Sequence, residues 1–202
     1  SETYGTAQYV PIDEKHPAVG QSPYAASKIA ADQIALSYYR AFGLPVKVVR
    51  PFNTYGPRQS ARAIIPTITT QILSGQTSIK LGNTTPTRDL TFVKDTAAGF
   101  LAVAACKALN GQVANIGMND EISVGDLTKT IAGILHKKIR IIEDAQRVRA
   151  KTSEVERLRC DNTKIIEATS WRPKYNLEQG LQETTAWLKK NLNLYKAEIY
   201  NV

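Results

Sequence analysis

The sequence predicts an α/β fold built on a parallel sheet. Three observations carry that prediction. A capped helical run stops at a glycine just before a short β-branched strand, helical and strand-like segments then alternate along the chain, and a polar Gly/Pro-bearing loop leaves the carboxyl end of that first strand. Taking the elements in order, Ser22-Pro23 supplies a cap and a first-turn proline for a helix from Tyr24 to Phe42, and Gly43 ends it. Val46 to Val49 is continuous and apolar apart from Lys47, as a strand covered on both faces requires. The loop from Asn53 to Ser60 then lies at the sheet edge where open α/β folds hold their ligands. Ile64 to Ser74 reads as a helix closed by Gly75, and Ile79 to Leu81 as a short strand. Asp95 is expected to cap an alanine-rich helix that ends before Gly111, with Val113 to Ile116 the next strand. Ser123 and Asp126 resemble a capping box opening a helix to about His136, and Lys138 to Ile142 is a strand. After a polar loop from Glu143 to Cys160, the clearest remaining helix is Leu177 to Lys190. No internal repeat or low-complexity segment interrupts this order.

A chain of 202 residues, 43% hydrophobic and 22% charged, has room for a sizeable core. No run approaches the ~20 apolar residues of a membrane span, and the start lacks the charged-then-apolar pattern of a secretion signal, so a cytoplasmic location and no membrane partner are expected. Cys106 and Cys160 lie far apart and only His16 and His136 accompany them, which supports neither a zinc site nor a disulfide framework. The net charge of +8, concentrated between Lys137 and Arg159, raises the question of nucleic acid. No helix-turn-helix, zinc-finger or aromatic RNA-binding signature accompanies it, so no nucleic-acid partner is expected. The plain reading of these charges is a solvated face. The other is a site for a pyrophosphate-linked nucleotide, with Arg88, Arg149 and Arg157 as candidate forks.

Chemistry enters at Tyr24-Ala25-Ala26-Ser27-Lys28. Four residues is just over one helical turn, so phenol and ammonium project from one face and can share a ligand. A nearby cation stabilises a phenolate, which suits the pair to proton transfer. The bland alternative is a surface Tyr-Lys pair of no function. Upstream, Ser1-Glu2-Thr3-Tyr4-Gly5 adds a carboxylate. Downstream, Arg50-Pro51-Phe52-Asn53-Thr54-Tyr55-Gly56-Pro57-Arg58 follows the strand.

Ser-Glu-x-Tyr-Gly, Tyr-x-x-x-Lys and Arg-Pro-Phe-Asn-Thr-Tyr-Gly-Pro, in this order and spacing, resemble the extended short-chain dehydrogenase/reductase family, in its NAD-dependent epimerase/dehydratase branch that modifies nucleotide sugars. Thr87 to Asp95 resembles that family's Arg-Asp-aromatic-x-x-Val-x-Asp segment, Ala114-Asn115-Ile116-Gly117 its Tyr-Asn-Ile-Gly strand end, and Trp171-Arg172-Pro173 with Gly180, Leu181 and Trp187 its closing helix. Residues Phe52 to Arg62 together with Ser153 to Leu158 are most similar to bacterial N-acetylglucosamine-nucleotide 4,6-dehydratases. The resemblance implies a Rossmann-type parallel sheet beside a smaller α/β substrate-binding lobe. Residues 1–58 and 90–117 would be the carboxyl-terminal portion of the dinucleotide-binding sheet, and 59–89 and 118–202 the nucleotide-sugar lobe. The family's Gly-rich cofactor turn matches nothing here, which implies a carboxyl-terminal part lacking roughly a third of the usual length and inactive alone.

The same resemblance implies roles. Tyr24 would take the proton from the sugar C4 hydroxyl while hydride passes to NAD, and Lys28 would bind the nicotinamide ribose. Glu2 would remove the C5 proton, Ser1 would assist the leaving C6 hydroxyl, and the backbone at Phe52 and Thr54 would flank the nicotinamide. Asn53, Arg88, Asn115 and Arg149 would hold the substrate, Arg88 at its diphosphate, with Ile64, Ile79 and Leu81 around the base. A solvated Glu2, a turn-forming Asn53, an Arg88–Asp89 salt bridge and plain core at Ile64, Ile79 and Leu81 are the corresponding bland readings. Because galactose epimerases of this family carry a small residue where Glu2 stands, the carboxylate points to a 4,6-dehydratase. A nucleotide-sugar epimerase, a UDP-glucuronate decarboxylase and a non-catalytic nucleotide sensor are the alternatives. Pairing into a homodimer through the helix that begins at Tyr24 is also implied.

Overall fold

The computed structural model describes residues 1–148 and 155–195. In chain order the elements are α1 (Pro23–Phe42), β1 (Val48–Pro51), β2 (Asn53–Tyr55), α2 (Ile64–Leu73), β3 (Ser78–Leu81), β4 (Thr87–Arg88), β5 (Leu90–Phe92), α3 (Val93–Ala105), β6 (Val113–Ile116), β7 (Ile122–Ser123), α4 (Val124–Ile134), β8 (Arg140–Glu143), α5 (Thr163–Ala168) and α6 (Leu177–Lys190). The fold is α/β with parallel strand pairs, as expected, and the chain divides into two compact units.

The first unit takes Ser1–Thr54, Thr87–Glu121 and, among the described residues, 155–174. Its frame is β1 against β6, parallel, with Val48 opposite Val113 and Pro51 opposite Ile116. The strand lies two residues later than the apolar run suggests, and it accommodates a proline for a geometric reason. The N–H groups of Val48 and Phe52 donate to Gln112 and Ile116, so position 51 faces the other way and its missing N–H costs this pair nothing. Helix α1 is set by its ends. Ser22 accepts a hydrogen bond from Ala25 N–H (3.1 Å), Pro23 occupies the first turn, and Gly43 closes it in the left-handed region at φ 67°. Val103, Leu109, Ala114, Ile116, Ile165 and Trp171 form one core cluster, and Tyr4, Ile12, Phe52, Leu158 and Cys160 another. Helix α3 approaches β6 so closely that a Cβ at Gly99 would stand 2.6 Å from Ile116.

Asp95 is not the cap of α3. Phe92 occupies that position, and Asp95 sits inside the first turn, buried. Its carboxylate accepts Lys174 N–H (3.0 Å) and its carbonyl accepts Trp171 Nε1 (2.9 Å), so it ties the closing Trp-Arg-Pro segment to α3.

The second unit takes Tyr55–Pro86 and, among the described residues, 122–148 and 175–195. Here β3 and β8 pair in parallel, Ile79 opposite Ile141, and α6 packs on α2 and α4. Ser123 caps α4 by accepting Asp126 N–H (3.0 Å), while His136, with φ 52°, lies beyond the end of the helix at Ile134. A full capping box between Asn176 and Gln179 opens α6, whose bounds match the sequence pattern. Residues 155–174 pack with the first unit, whereas the sequence reading placed them in the sugar-binding lobe. Among the described residues no helix is long and apolar enough to cross a membrane.

Candidate functional site

The first turn of α1 presents Tyr24 to solvent at 59% exposure. Lys28, one turn on and also exposed, lays its Nζ 5.4 Å from the centre of the Tyr24 ring. The structure thus brings phenol and ammonium together as the spacing predicts. Glu2 is exposed on a 3-10 turn, Glu2–Tyr4, that packs against α1. The loop between turn and helix is pinned at both ends, by Val19 N–H on the Thr3 carbonyl (2.9 Å) and Thr6 N–H on Gln21 Oε1 (2.7 Å). Ser1 stands beside the end of β1, its nitrogen donating to the Pro51 carbonyl (3.0 Å).

Past that strand, Phe52 is buried between the rings and aliphatics of its cluster, so only its backbone is available to a ligand. Thr54 Oγ1 lies 3.0 Å from Thr96 Oγ1. Asn53 is half-buried and its Oδ1 is buried with no hydrogen-bond partner, an acceptor that a ligand donor would satisfy.

Arg88 is half-buried, with Nη1 donating to the Thr87 carbonyl (2.8 Å). Its neighbours are locked. Thr87 Oγ1 donates to Glu121 (2.6 Å), and Asp89, fully buried, accepts backbone N–H groups of Met118 (2.8 Å), Asn119 (3.0 Å) and Cys160 (3.0 Å). Asp89 therefore spends its carboxylate on chain segments far from Arg88 in sequence. Burial pushes the Asp89 carboxyl up to about 6, although the three N–H donors pull the other way. Arg157, which the charge pattern offered as a phosphate fork, pairs with Glu121, and this partner holds the Glu121 carboxyl below its ordinary range.

Asn115 departs from its expected role. It is 0% exposed, its Oδ1 accepts the Tyr4 hydroxyl (2.7 Å), its Nδ2 donates to the Ile12 carbonyl (3.1 Å), and its backbone N–H goes to Glu14 (2.8 Å). Both ends of its amide are consumed inside the protein, so it braces the Tyr-Gly turn rather than a substrate. Burial pushes the Tyr4 phenol up to about 12, against the effect of Arg50, so it remains a donor.

In the second unit, Ile79 and Leu81 point inward from β3 and are core, while Lys80 between them is exposed. Ile64, the first residue of α2, is half-buried. Arg149 lies outside the described residues.

Sequence reasoning missed one interaction beside the site. Arg50 of β1 donates from Nε to Asp32 of α1 at 2.8 Å, with both side chains largely buried, and its guanidinium lies 4.8 Å over the Tyr4 ring. No local signal marks it, because the spacing of four residues points Asp32 at Lys28 instead.

The sequence profile described as GDP-mannose 4,6 dehydratase matches residues 1–184. The dTDP-glucose 4,6-dehydratase of an Actinoplanes species is 33% identical over 94% of this chain and 58% of its own length. The UDP-glucose 4-epimerase of Mycolicibacterium smegmatis is 30% identical over 92% and 59%. Among solved structures, the dTDP-glucose 4,6-dehydratase of Bacillus anthracis in complex with NAD superimposes with a TM-score of 0.84 at 34% identity, covering 96% of this chain and 61% of that one. The chain thus spans about three fifths of the length of the relatives it matches. It belongs to the GDP-mannose 4,6 dehydratase family, within the epimerase/dehydratase branch of the short-chain dehydrogenases/reductases.

Proposed function

We propose that the protein is an NAD-dependent nucleotide-sugar 4,6-dehydratase whose first unit carries the residues that act on the sugar and hold the nicotinamide end of the cofactor. The observation that carries this reading is the Lys28 ammonium over the ring of a solvent-facing Tyr24, with the Glu2 turn packed on the same helix. The residues present fit the nicotinamide ribose of NAD, with an exposed phenol and ammonium on one helical face, and the buried, unpartnered Asn53 Oδ1 fits a donor of the sugar. When bound, NAD would accept the hydride of C4 and return it to C6.

The chain's own residues do the proton work in this reading. Tyr24 takes the proton of the C4 hydroxyl as the C4 ketone forms, and Lys28 holds the ribose and offsets the negative charge left on the phenol oxygen. The ketone acidifies the C5 proton, which Glu2 removes while the C6 hydroxyl departs with a proton supplied from Ser1. Backbone at Phe52 and Thr54 flanks the cofactor. Asn53 contacts the sugar, Arg88 the diphosphate and Ile64 the base, and Arg149 keeps its sequence-based assignment to the substrate. Exposed apolar residues on α1, among them Ile34, Tyr38 and Phe42, support pairing of two copies through that helix, which sedimentation would test.

A second reading, a nucleotide-sugar epimerase, draws on the epimerase relative, and Glu2 separates the two. The test is to incubate the full-length protein with UDP-, GDP- and dTDP-sugars and NAD. A product with the ultraviolet absorbance of a 4-keto sugar is expected, whereas a C4 epimer alone would select the second reading. Unchanged turnover in Tyr24→Phe would remove both.

A further inference from the structure

Asp32 is the one carboxylate in the twenty residues of α1, and it stands four positions after Lys28, which stands four after Tyr24. Steps of four place all three on one stripe of the helix. A carboxylate so placed pairs with the ammonium one turn away unless something stronger takes it. Here something does: the Asp32 carboxylate is held by Arg50 of β1, at 2.8 Å, with the two side chains only 16% and 8% exposed. Arg50 is itself fixed from its other side by the fully buried Tyr4 ring, which is anchored through its hydroxyl on Asn115. Lys28 is left over the Tyr24 ring.

We propose that Arg50 is a positioning residue for the Tyr24–Lys28 pair: by holding the Asp32 carboxylate at β1, it keeps the Lys28 ammonium from leaving Tyr24 for an intrahelical ion pair. The groups concerned are Tyr24, Lys28 and Asp32 on α1, Arg50 on β1, and Tyr4 and Glu2 on the first turn. A guanidinium suits the task because it stays charged at every working pH and its fork reaches a carboxylate while stacking on a ring. A merely structural bridge would tie helix to strand equally well with either partner as its weak point. A decoupling bridge is asymmetric. Losing Arg50 frees a carboxylate beside Lys28, whereas losing Asp32 frees none.

That asymmetry is the test, and it rests on the reading of Tyr24 as the proton acceptor. In the full-length protein, turnover is measured against pH for wild type, Arg50→Met, Asp32→Asn and the double variant, alongside thermal unfolding. In parallel, the Lys28 signal of the protein carrying carbon-13 methylated lysines is titrated by NMR, which requires no turnover. In Arg50→Met the acid limb of the profile is expected to move up by about one pH unit, an about tenfold loss on that limb, with the Lys28 signal titrating higher. In Asp32→Asn and in the double variant both stay near wild type. Equal displacement in Arg50→Met and Asp32→Asn, or none in a folded Arg50→Met, would overturn the proposal. If Arg50→Met does not fold, Arg50→Gln, whose neutral amide leaves the Asp32 charge without a countercharge at β1 and so open to Lys28, takes its place under the same expectations. Full activity in Tyr24→Phe would instead sink the underlying reading and leave the NMR comparison to judge the bridge by itself.

Discussion

The two units bury polar groups in opposite ways. In the first, buried polar side chains join segments distant in sequence: Asn115 to Tyr4, Asp89 to Met118 and Cys160, Asp95 to Lys174, Arg50 to Asp32. In the second, buried threonines satisfy themselves on their own helices, Thr70 on the Pro66 carbonyl (2.8 Å), Thr128 on Val124 (2.7 Å) and Thr184 on Gly180 (2.7 Å), around an aliphatic core. Charge divides unevenly as well. The described residues of the second unit hold 10 of the 26 basic residues but only 5 of the 18 acidic ones, a net +5 of the total +8. The proposed reaction centre thus sits on a cross-linked polar frame, and the second unit supplies an apolar scaffold with a positive field.

Substitutions ranked by expected effect probe that contrast. Tyr24→Phe should lower turnover at least about a hundredfold with unchanged unfolding temperature, because an exposed hydroxyl carries chemistry and little stability. Ile131→Ala should cost about 3 kcal/mol in urea unfolding, the loss of a fully buried side chain in the aliphatic core. Asp89 should make stability depend on pH. Its folded value of about 6 lies above the ordinary 3.8, so its contribution is complete below 3.8 and is lost as pH rises through 6. Urea midpoints taken across that window should therefore fall with rising pH in wild type, and Asp89→Asn should flatten the slope. Asn115→Leu should cost about 2 kcal/mol because it takes the acceptor from the buried Tyr4 hydroxyl. Thr128→Val, whose bond is local, should cost about 1 kcal/mol or less. An Asn115→Leu cost no larger than that of Thr128→Val would dissolve the contrast between the units.

What the sequence made legible was local. The ends of α1 and α6, the β6 strand and the Tyr24–Lys28 pair all depend on neighbours within one or two turns. What it hid was long-range. Asp95 looks like a helix cap until Lys174 claims its carboxylate, and Asn115 looks like a ligand contact until Tyr4, 111 positions away, takes its oxygen. The Asp32–Arg50 bridge spans 18 positions and two elements, so the i+4 spacing suggested only the wrong partner for Asp32, Lys28.

Pro51 has a consequence for the pairing of β1 with β6. The N–H groups of Val48 and Phe52 serve that pair, so removing the ring, as in Pro51→Ala, adds no bond to it and changes mainly the freedom of the unfolded backbone.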